Sequence, residues 1–217
     1  MLLPATLLTL LTASAPADGV SAATTTARPR IVALGDSLTS GHGIGASRAF
    51  PAVLQERLQQ SGYALDIVNA GVSGDTTGRA LLRFREALRG DVRVLVVALG
   101  ANDGLRGVPV SEVRRNLSTI IQDAQSRGIA VLLCGMEALP MHGWNYTVEF
   151  HQAYVDLARQ YDVPPVPFMM LSVLGNRELM QPDHVHPNAA GARLMADHVW
   201  PYLDALLRQA GYLPSAT

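Results

Sequence analysis

Short apolar runs alternate with longer segments of helical periodicity along most of this chain. Runs rich in β-branched and aliphatic residues predict strands, at 31–34, 65–69, 92–99, 129–134 and 166–168. Apolar residues at helical spacing predict helices between them, at about 50–60, 77–88, 111–127, 147–161 and 189–209. The run at 92–99 is almost continuously apolar, which indicates a strand buried on both faces.

This alternation of strands and helices predicts the fold class. Strands this apolar are typical of parallel sheets that are covered on both faces, so we expect an α/β fold. The order predicts a three-layer α/β/α sandwich with a flavodoxin-like parallel sheet of about five strands. A chain of 217 residues suits one such domain. Sites in these sheets lie outside the carboxyl ends of the strands, so the residues after each strand are the first candidates for function.

The first 27 residues differ from the rest of the chain. Residues 1–13 are apolar and rich in Leu, and the small residues Val20-Ser21-Ala22 fit a signal peptidase site. This run is shorter than the roughly 20 residues that span a bilayer. We therefore expect a signal peptide at 1–27, a folded domain at 28–217, and an exported protein, periplasmic or secreted, without an integral membrane span. An uncleaved anchor or an apolar tail is the alternative.

Charge and cysteine content narrow the possible partners. The chain has 18 acidic and 17 basic residues, for a net charge of −1. Binding to nucleic acid needs a basic stripe, so no nucleic-acid partner is expected. The single cysteine, Cys134, rules out an intramolecular disulfide and lies in an apolar run that predicts a buried thiol.

Polar residues with chemical uses follow the first three long strands and precede the last helix. These four blocks are Gly35-Asp36-Ser37-Leu38, Ser73-Gly74-Asp75-Thr76, Gly100-Ala101-Asn102-Asp103 and Asp183-His184-Val185-His186-Pro187-Asn188. If their elements form one parallel sheet, the first three blocks meet at one edge. One block alone is weak evidence, whereas four in this arrangement indicate a site.

The residue types in these blocks suit acyl transfer. A serine hydroxyl is a poor nucleophile until an oriented base takes its proton. Asp183 precedes His186 by three residues, so its carboxylate can hold the ring Nδ1–H and leave Nε2 for Ser37. The backbone N–H groups of Ser37 and Gly74, with the Asn102 amide, could stabilise an oxyanion.

Together the four blocks resemble the SGNH (GDSL) hydrolase superfamily, in particular its branch of bacterial periplasmic thioesterases, lysophospholipases and arylesterases. The resemblance spans almost the whole chain after residue 28. It implies an esterase that needs no cofactor and no metal. The functional residues that it implies are the nucleophile Ser37, the dyad Asp183 and His186, and the oxyanion donors Ser37 N–H, Gly74 N–H and Asn102. Ala101 departs from this branch, which often has a glycine there.

Two other assignments use the same blocks. Gly71-Val-Ser73-Gly-Asp75 nearly matches the Gly-x-Ser-x-Gly elbow of α/β-hydrolases, which would make Ser73 the nucleophile. In the second, His184 and His186 bind a metal beside Asp183, although no further donor pair is evident. A catalytically silent flavodoxin-like module is a third hypothesis, but it would be expected to lack part of the acyl-transfer set.

The remaining histidines and one glycine-rich loop have less specific interpretations. Gly41-His-Gly43-Ile-Gly45 has glycines like those of a dinucleotide loop but lies too far beyond the first strand, so we interpret it as an active-site loop. Four histidines have no evident partner and are expected at the surface, namely His42, His142, His151 and His198.

Two loops suggest an acyl-binding region. Gly104-Leu-Arg-Gly107 resembles a mobile loop that this branch places near the acyl chain, and 137–144 carries several apolar residues. The substrate-binding candidates are Leu38, Gly104, Leu105, Leu139, Pro140 and Met141. We expect a monomer that hydrolyses small-molecule or lipid esters: aryl esters, short to medium acyl esters, acyl-CoA thioesters and lysophospholipids. The alternative is an O-acetyl esterase for carbohydrate or cell-wall polymers, which the low aromatic content of 6% disfavours.

Overall fold

The computed structural model describes residues 28–214. Within this range the strands are β1 (Arg30–Gly35), β2 (Asp66–Gly71), β3 (Val92–Ala98), β4 (Ala130–Cys134) and β5 (Pro165–Val166). The α-helices of the same range are α1 (Ser37–Ser40), α2 (Phe50–Gln60), α3 (Thr77–Leu81), α4 (Phe84–Ala87), α5 (Ala101–Arg106), α6 (Val110–Ser126), α7 (Trp144–Gln160) and α8 (Ala189–Gln209). The predicted signal peptide at 1–27 lies outside the described residues.

The five strands form one parallel sheet in the order β2-β1-β3-β4-β5. The chain moves outward to β2 and then crosses back past β1 to β3, so the winding reverses between β1 and β3. Crevices at such a reversal, outside the carboxyl ends of the strands, are where doubly wound sheets bind ligands. The flavodoxin-like prediction is confirmed.

Helices cover both faces of the sheet. On one face α2 packs on α8, and in the other helical layer α6 packs between α3 and α7. The buried side chains of β1 and β3 lie between these layers, as their apolar sequences require. Cys134 at the end of β4 is fully buried, and desolvation raises the pKa of its thiol to about 12. The predicted buried thiol is confirmed.

The helix predicted at 77–88 is divided in the structure into α3 and α4. Leu82, between them, is 88% exposed, and the backbone of Arg83 leaves helical geometry with φ −123°. The Arg83 side chain turns inward and bonds backbone carbonyls at the ends of β1 and β2. These tertiary hydrogen bonds override the local helical pattern.

Within the part of the chain that the structure describes, none of the helices combines the length and the apolar composition of a membrane span.

Candidate active site

A tight turn after β1 sets the position of Ser37. Asp36 caps α1 by accepting a hydrogen bond from the Leu38 N–H at 3.0 Å, and Ser37 is the first residue of that helix. A Cβ at Gly35 would lie 1.8 Å from Thr39 Oγ1, so only glycine allows the turn to close this tightly. The Ser37 hydroxyl is therefore held at the carboxyl end of β1.

Ser37, His186 and Asp183 form a continuous chain of hydrogen bonds. Ser37 Oγ lies 3.0 Å from His186 Nε2, and His186 Nδ1 lies 2.7 Å from Asp183 Oδ2. Asp183 Oδ1 also accepts bonds from the backbone N–H groups of Val185 and His186, both at 3.0 Å. The three residues predicted from the sequence thus lie together, although Ser37 and His186 are 149 positions apart in the chain.

Hydrogen bonding keeps Asp183 ionised. Its carboxylate accepts from the His186 backbone N–H, the His186 ring and the Val185 N–H, and these bonds hold the pKa of Asp183 well below its usual range. A carboxyl group with so low a pKa is anionic at neutral pH. The geometry is that of a carboxylate fixing the tautomer and orientation of an imidazole base.

The predicted oxyanion donors lie in the segments that follow β1, β2 and β3. The Ser37 N–H is in the first turn of α1, where backbone N–H groups have no partner within the helix. Gly74 lies in the loop after β2 with φ +82°, and Asn102 lies in the first turn of α5, after β3. Asn102 Nδ2 donates to the Asp75 carbonyl at 3.0 Å, which fixes the amide beside the Gly74 loop.

Asp36 is fully buried behind this site. Its Oδ2 lies 3.4 Å from Asn102 Nδ2, so it contacts the amide of the candidate oxyanion donor. Burial raises the pKa of Asp36 to about 6, against the opposing effect of the hydrogen bonds from Leu38 and Asn102. Above that pH the carboxylate is mostly ionised and the bond to the amide is charge-assisted.

Arg83 is a structural residue of the site that the sequence analysis missed. Its guanidinium donates to the carbonyls of Ala70 and Gly35, at 2.8 and 3.0 Å, and to the buried Asp75 carboxylate at 2.7 Å. One side chain therefore ties together the ends of β1 and β2 and the loop that carries Gly74. A charged, planar side chain with a fixed fork of donors is suited to this role.

An open cavity begins at Ser37 and His186. Its walls are mostly apolar, and Leu38, Leu105 and Leu139 are among the predicted residues that line it. Further wall residues were not predicted: Ala101, Met136, Glu137, Phe168, Met170, Leu174 and Val185. Most of these lie in irregular segments, in which the apolar residues follow neither a helical nor a strand pattern.

Three predicted substrate-binding residues do not lie on this cavity. Gly104 is buried in α5, against Ala138 and Phe150. Pro140 and Met141 are in a short 3-10 turn, and Met141 is 61% exposed. None of the three is among the residues that line the cavity, and their part in substrate binding stays a prediction.

The competing assignments find less support in the geometry. Ser73 Oγ is exposed and lies 2.9 Å from Ser40 Oγ, with no histidine bonded to it among the described residues. His184 is exposed at the cavity wall. The histidine that groups with Asp183 and His186 is instead His42, whose ring centroid is 4.5 Å from that of His186. His42 is exposed, as predicted, and the structure adds its contact with the ring of His186.

The other three predicted surface histidines also have partners, and His198, which is half-buried, lies with its Nε2 3.4 Å from the Pro167 carbonyl oxygen. His151 Nδ1 lies 2.6 Å from Glu137 Oε1, an atom of the cavity wall residue, and His142 Nε2 lies 3.2 Å from the Leu105 carbonyl oxygen. Both rings nevertheless belong to exposed residues, as predicted. Asp103 has a structural role, because it accepts bonds from the N–H and hydroxyl of Thr77 at 2.8 and 2.7 Å.

Known proteins resemble this chain in sequence and in fold. Residues 33–194 match the model of the GDSL-like Lipase/Acylhydrolase family. The chain is 37% identical to the esterase TesA of Pseudomonas aeruginosa, over 82% of this chain and 89% of that one. It is 35% identical to the thioesterase 1/protease 1/lysophospholipase L1 of Escherichia coli, over 82% and 84%. A crystal structure of TesA superposes with a TM-score of 0.79 at 36% identity, covering 82% of this chain and 99% of that chain.

Proposed function

This chain belongs to the GDSL-like lipase/acylhydrolase family, and we propose that it hydrolyses carboxylic esters and thioesters through an acyl-enzyme on Ser37. The observation that carries this proposal is the unbroken hydrogen-bonded chain from Ser37 Oγ through His186 to Asp183, at the mouth of an apolar cavity. Fold alone would not support it, because this fold serves many functions.

The proposed reaction has two steps. Ser37 Oγ attacks the acyl carbonyl carbon while its proton moves to His186 Nε2, and the oxyanion is stabilised by the N–H groups of Ser37 and Gly74 and by Asn102. His186 then gives this proton to the departing alcohol or thiol, and the acyl group stays on Ser37. A water molecule, deprotonated by His186, attacks the acyl carbon, and the acid is released as His186 returns the proton to Ser37 Oγ. Asp183 stays ionised throughout and stabilises the imidazolium.

The cavity supports acyl groups as the recognised part of the substrate. Its walls include Leu105, Leu139, Phe168, Met170 and Leu174, and no cationic side chain is among its lining residues in the described part of the chain. We propose aryl esters, short to medium acyl esters, acyl-CoA thioesters and lysophospholipids as substrates. The relatives named as thioesterase, lysophospholipase and esterase support this breadth.

Phosphonate labelling tests the nucleophile. A p-nitrophenyl alkylphosphonate should phosphonylate the one hydroxyl that a base activates, and peptide mass spectrometry should place the adduct on Ser37. An adduct on Ser73 would contradict the assignment.

We further propose that residues 1–27 are removed on export and that the mature protein acts as a monomer. The intact mass of the labelled protein, purified from the cell envelope, gives the mature N-terminus and thereby checks the first of these proposals.

A series of p-nitrophenyl esters tests the acyl site. Each buried methylene is worth about 0.8 kcal/mol, so kcat/KM should rise by up to roughly fourfold per added methylene until the cavity is full. Leu139→Asp should flatten this rise, because it places a charge on the cavity wall, whereas acetate ester turnover should change little. Met141→Asp is the matched control, since it adds the same charge two residues away, outside the cavity. A flat series with a maximum at acetate would favour an O-acetyl esterase.

A further inference from the structure

His42 lies beside the base of the proposed reaction, although none of the steps above uses it. It belongs to the loop after α1, and its ring is tilted by 42° to the ring of His186, with the centroids 4.5 Å apart. The two imidazoles come from segments 144 positions apart in the chain. Their contact is therefore a product of the tertiary structure.

Gln181 holds these two segments together. Its side-chain Nε2 donates to the His42 carbonyl at 2.7 Å and to the Pro187 carbonyl at 2.9 Å, and its backbone N–H donates to the His186 carbonyl at 2.8 Å. Gly43 has φ +73°, and a Cβ there would lie 2.0 Å from Gln181 Oε1. The loop and the base are thus joined by a packed, hydrogen-bonded contact that keeps the backbone of His42 close to that of His186.

His42, Asp183 and His186 together offer a set of metal ligands. One donor atom from each residue lies within 4.8 Å of the other two. Two imidazoles and one carboxylate are a ligand set that binds Zn²⁺, with bonds of about 2.0–2.2 Å and the fourth position open. Asp183 Oδ2 and His186 Nδ1 already lie 2.7 Å apart, so His42 supplies the third donor. Because His42 is exposed, its ring can rotate toward an ion held by the other two residues.

We propose that His42, Asp183 and His186 form an inhibitory binding site for Zn²⁺ or a similar divalent transition ion. The inhibition rests on the proposed function, in which His186 must accept a proton and Asp183 must orient it. An ion bound to both occupies the electron pairs that these roles require, so proton transfer from Ser37 stops. Hard cations such as Mg²⁺ prefer oxygen ligands and should not bind here.

Calorimetric titration with zinc chloride tests the site without using activity. The protein is the Ser37→Ala variant, which keeps all three ligands, and it is compared with the double variant Ser37→Ala/His42→Gln. Outer partners of a metal already change affinity by about 10–100-fold, so loss of a direct ligand should weaken zinc binding at least that much. Equal zinc affinity in the two proteins, or no binding to Ser37→Ala, would overturn the proposal.

Inhibition is measured for each protein separately, as the ratio of its activity with zinc to its own activity after EDTA has removed the metal. Zinc should inhibit the wild-type protein reversibly, and His42→Gln should lose most of this sensitivity. His184→Gln is the matched control, because His184 is the neighbouring exposed histidine that does not belong to the trio, and it should remain sensitive. If His184→Gln lost the sensitivity and His42→Gln kept it, the site would be assigned wrongly. A failure of Ser37 as nucleophile would appear in the labelling experiment and leave the calorimetric result unaffected.

Discussion

Replacement of Ser37 by alanine should abolish ester hydrolysis while the protein stays folded. In serine proteases, removal of the nucleophile costs about 10⁶-fold in kcat, and the residual rate comes from the oxyanion site and binding alone. A loss of this order is expected here, because the Ser37 hydroxyl is the group 3.0 Å from the base. Steady-state kinetics with a p-nitrophenyl ester measures the loss.

Ser73→Ala is the matched control for this variant. Ser73 Oγ is exposed and bonds to Ser40 Oγ, so its removal should leave most of the activity. Thermal unfolding followed by circular dichroism should give similar midpoints for both variants, since neither hydroxyl is part of the buried core. Full activity in Ser37→Ala, or a comparable loss in Ser73→Ala, would transfer the nucleophile to another residue.

Replacement of Asp183 by asparagine should have the second largest effect, with kcat lowered by up to about 10⁴-fold, as in the corresponding serine protease variant. In the structure one carboxylate oxygen accepts two backbone N–H bonds and the other accepts the His186 Nδ1–H. An amide can keep the first pair of bonds through its oxygen. Its NH₂ group would then face Nδ1 as a donor and select the tautomer in which Nε2 carries the proton. That tautomer cannot accept the proton of Ser37.

Asp156→Asn controls for the loss of an exposed negative charge, because Asp156 pairs with Arg114 on the helical layer and does not line the cavity. It should retain near wild-type kcat. Since hydrogen bonds hold the pKa of Asp183 well below its usual range, titration of Asp183 should not set the acid limit of wild-type activity. An effect of Asp183→Asn below tenfold would show that another group orients His186.

Arg83 accounts for the fixed arrangement of the segments that follow β1, β2 and β3. The carbonyls that it binds end β1 and β2, and the carboxylate that it binds belongs to Asp75, whose own carbonyl accepts the Asn102 amide. A single guanidinium therefore connects the turn of Ser37, the loop of Gly74 and the start of α5. Buried polar groups that are fully paired in this way make a site rigid.

Local patterns were sufficient for the sheet and for the reacting groups. The apolar runs that became β1, β3 and β4 are buried because each lies between two helical layers, and such runs are recognisable without any partner. Ser37 and Asn102 follow two of those strands directly, so their places at one sheet edge were predictable. Asp183 and His186 are three residues apart, a spacing that brings them together within one turn of chain.

Contacts between distant segments were not predictable in the same way. The pairing of His42 with His186 depends on Gln181, and the cavity walls at Phe168 and Leu174 come from irregular chain with no periodic pattern. The local pattern placed Arg83 in a helix. Its bracing role could not be predicted, because its hydrogen-bond partners are separated from it along the chain by up to 48 positions.

The amino-acid sequence by itself determined a parallel α/β fold and a set of serine, histidine and aspartate. It also determined which segments carry these residues, since periodicity and short spacings depend on local interactions. Only the tertiary structure decided which residues wall the acyl cavity, which arginine braces the oxyanion loops, and which histidine lies against the base. The physical reason is that side chains far apart in the chain become neighbours through packing and hydrogen bonds, and these are specified by the whole fold.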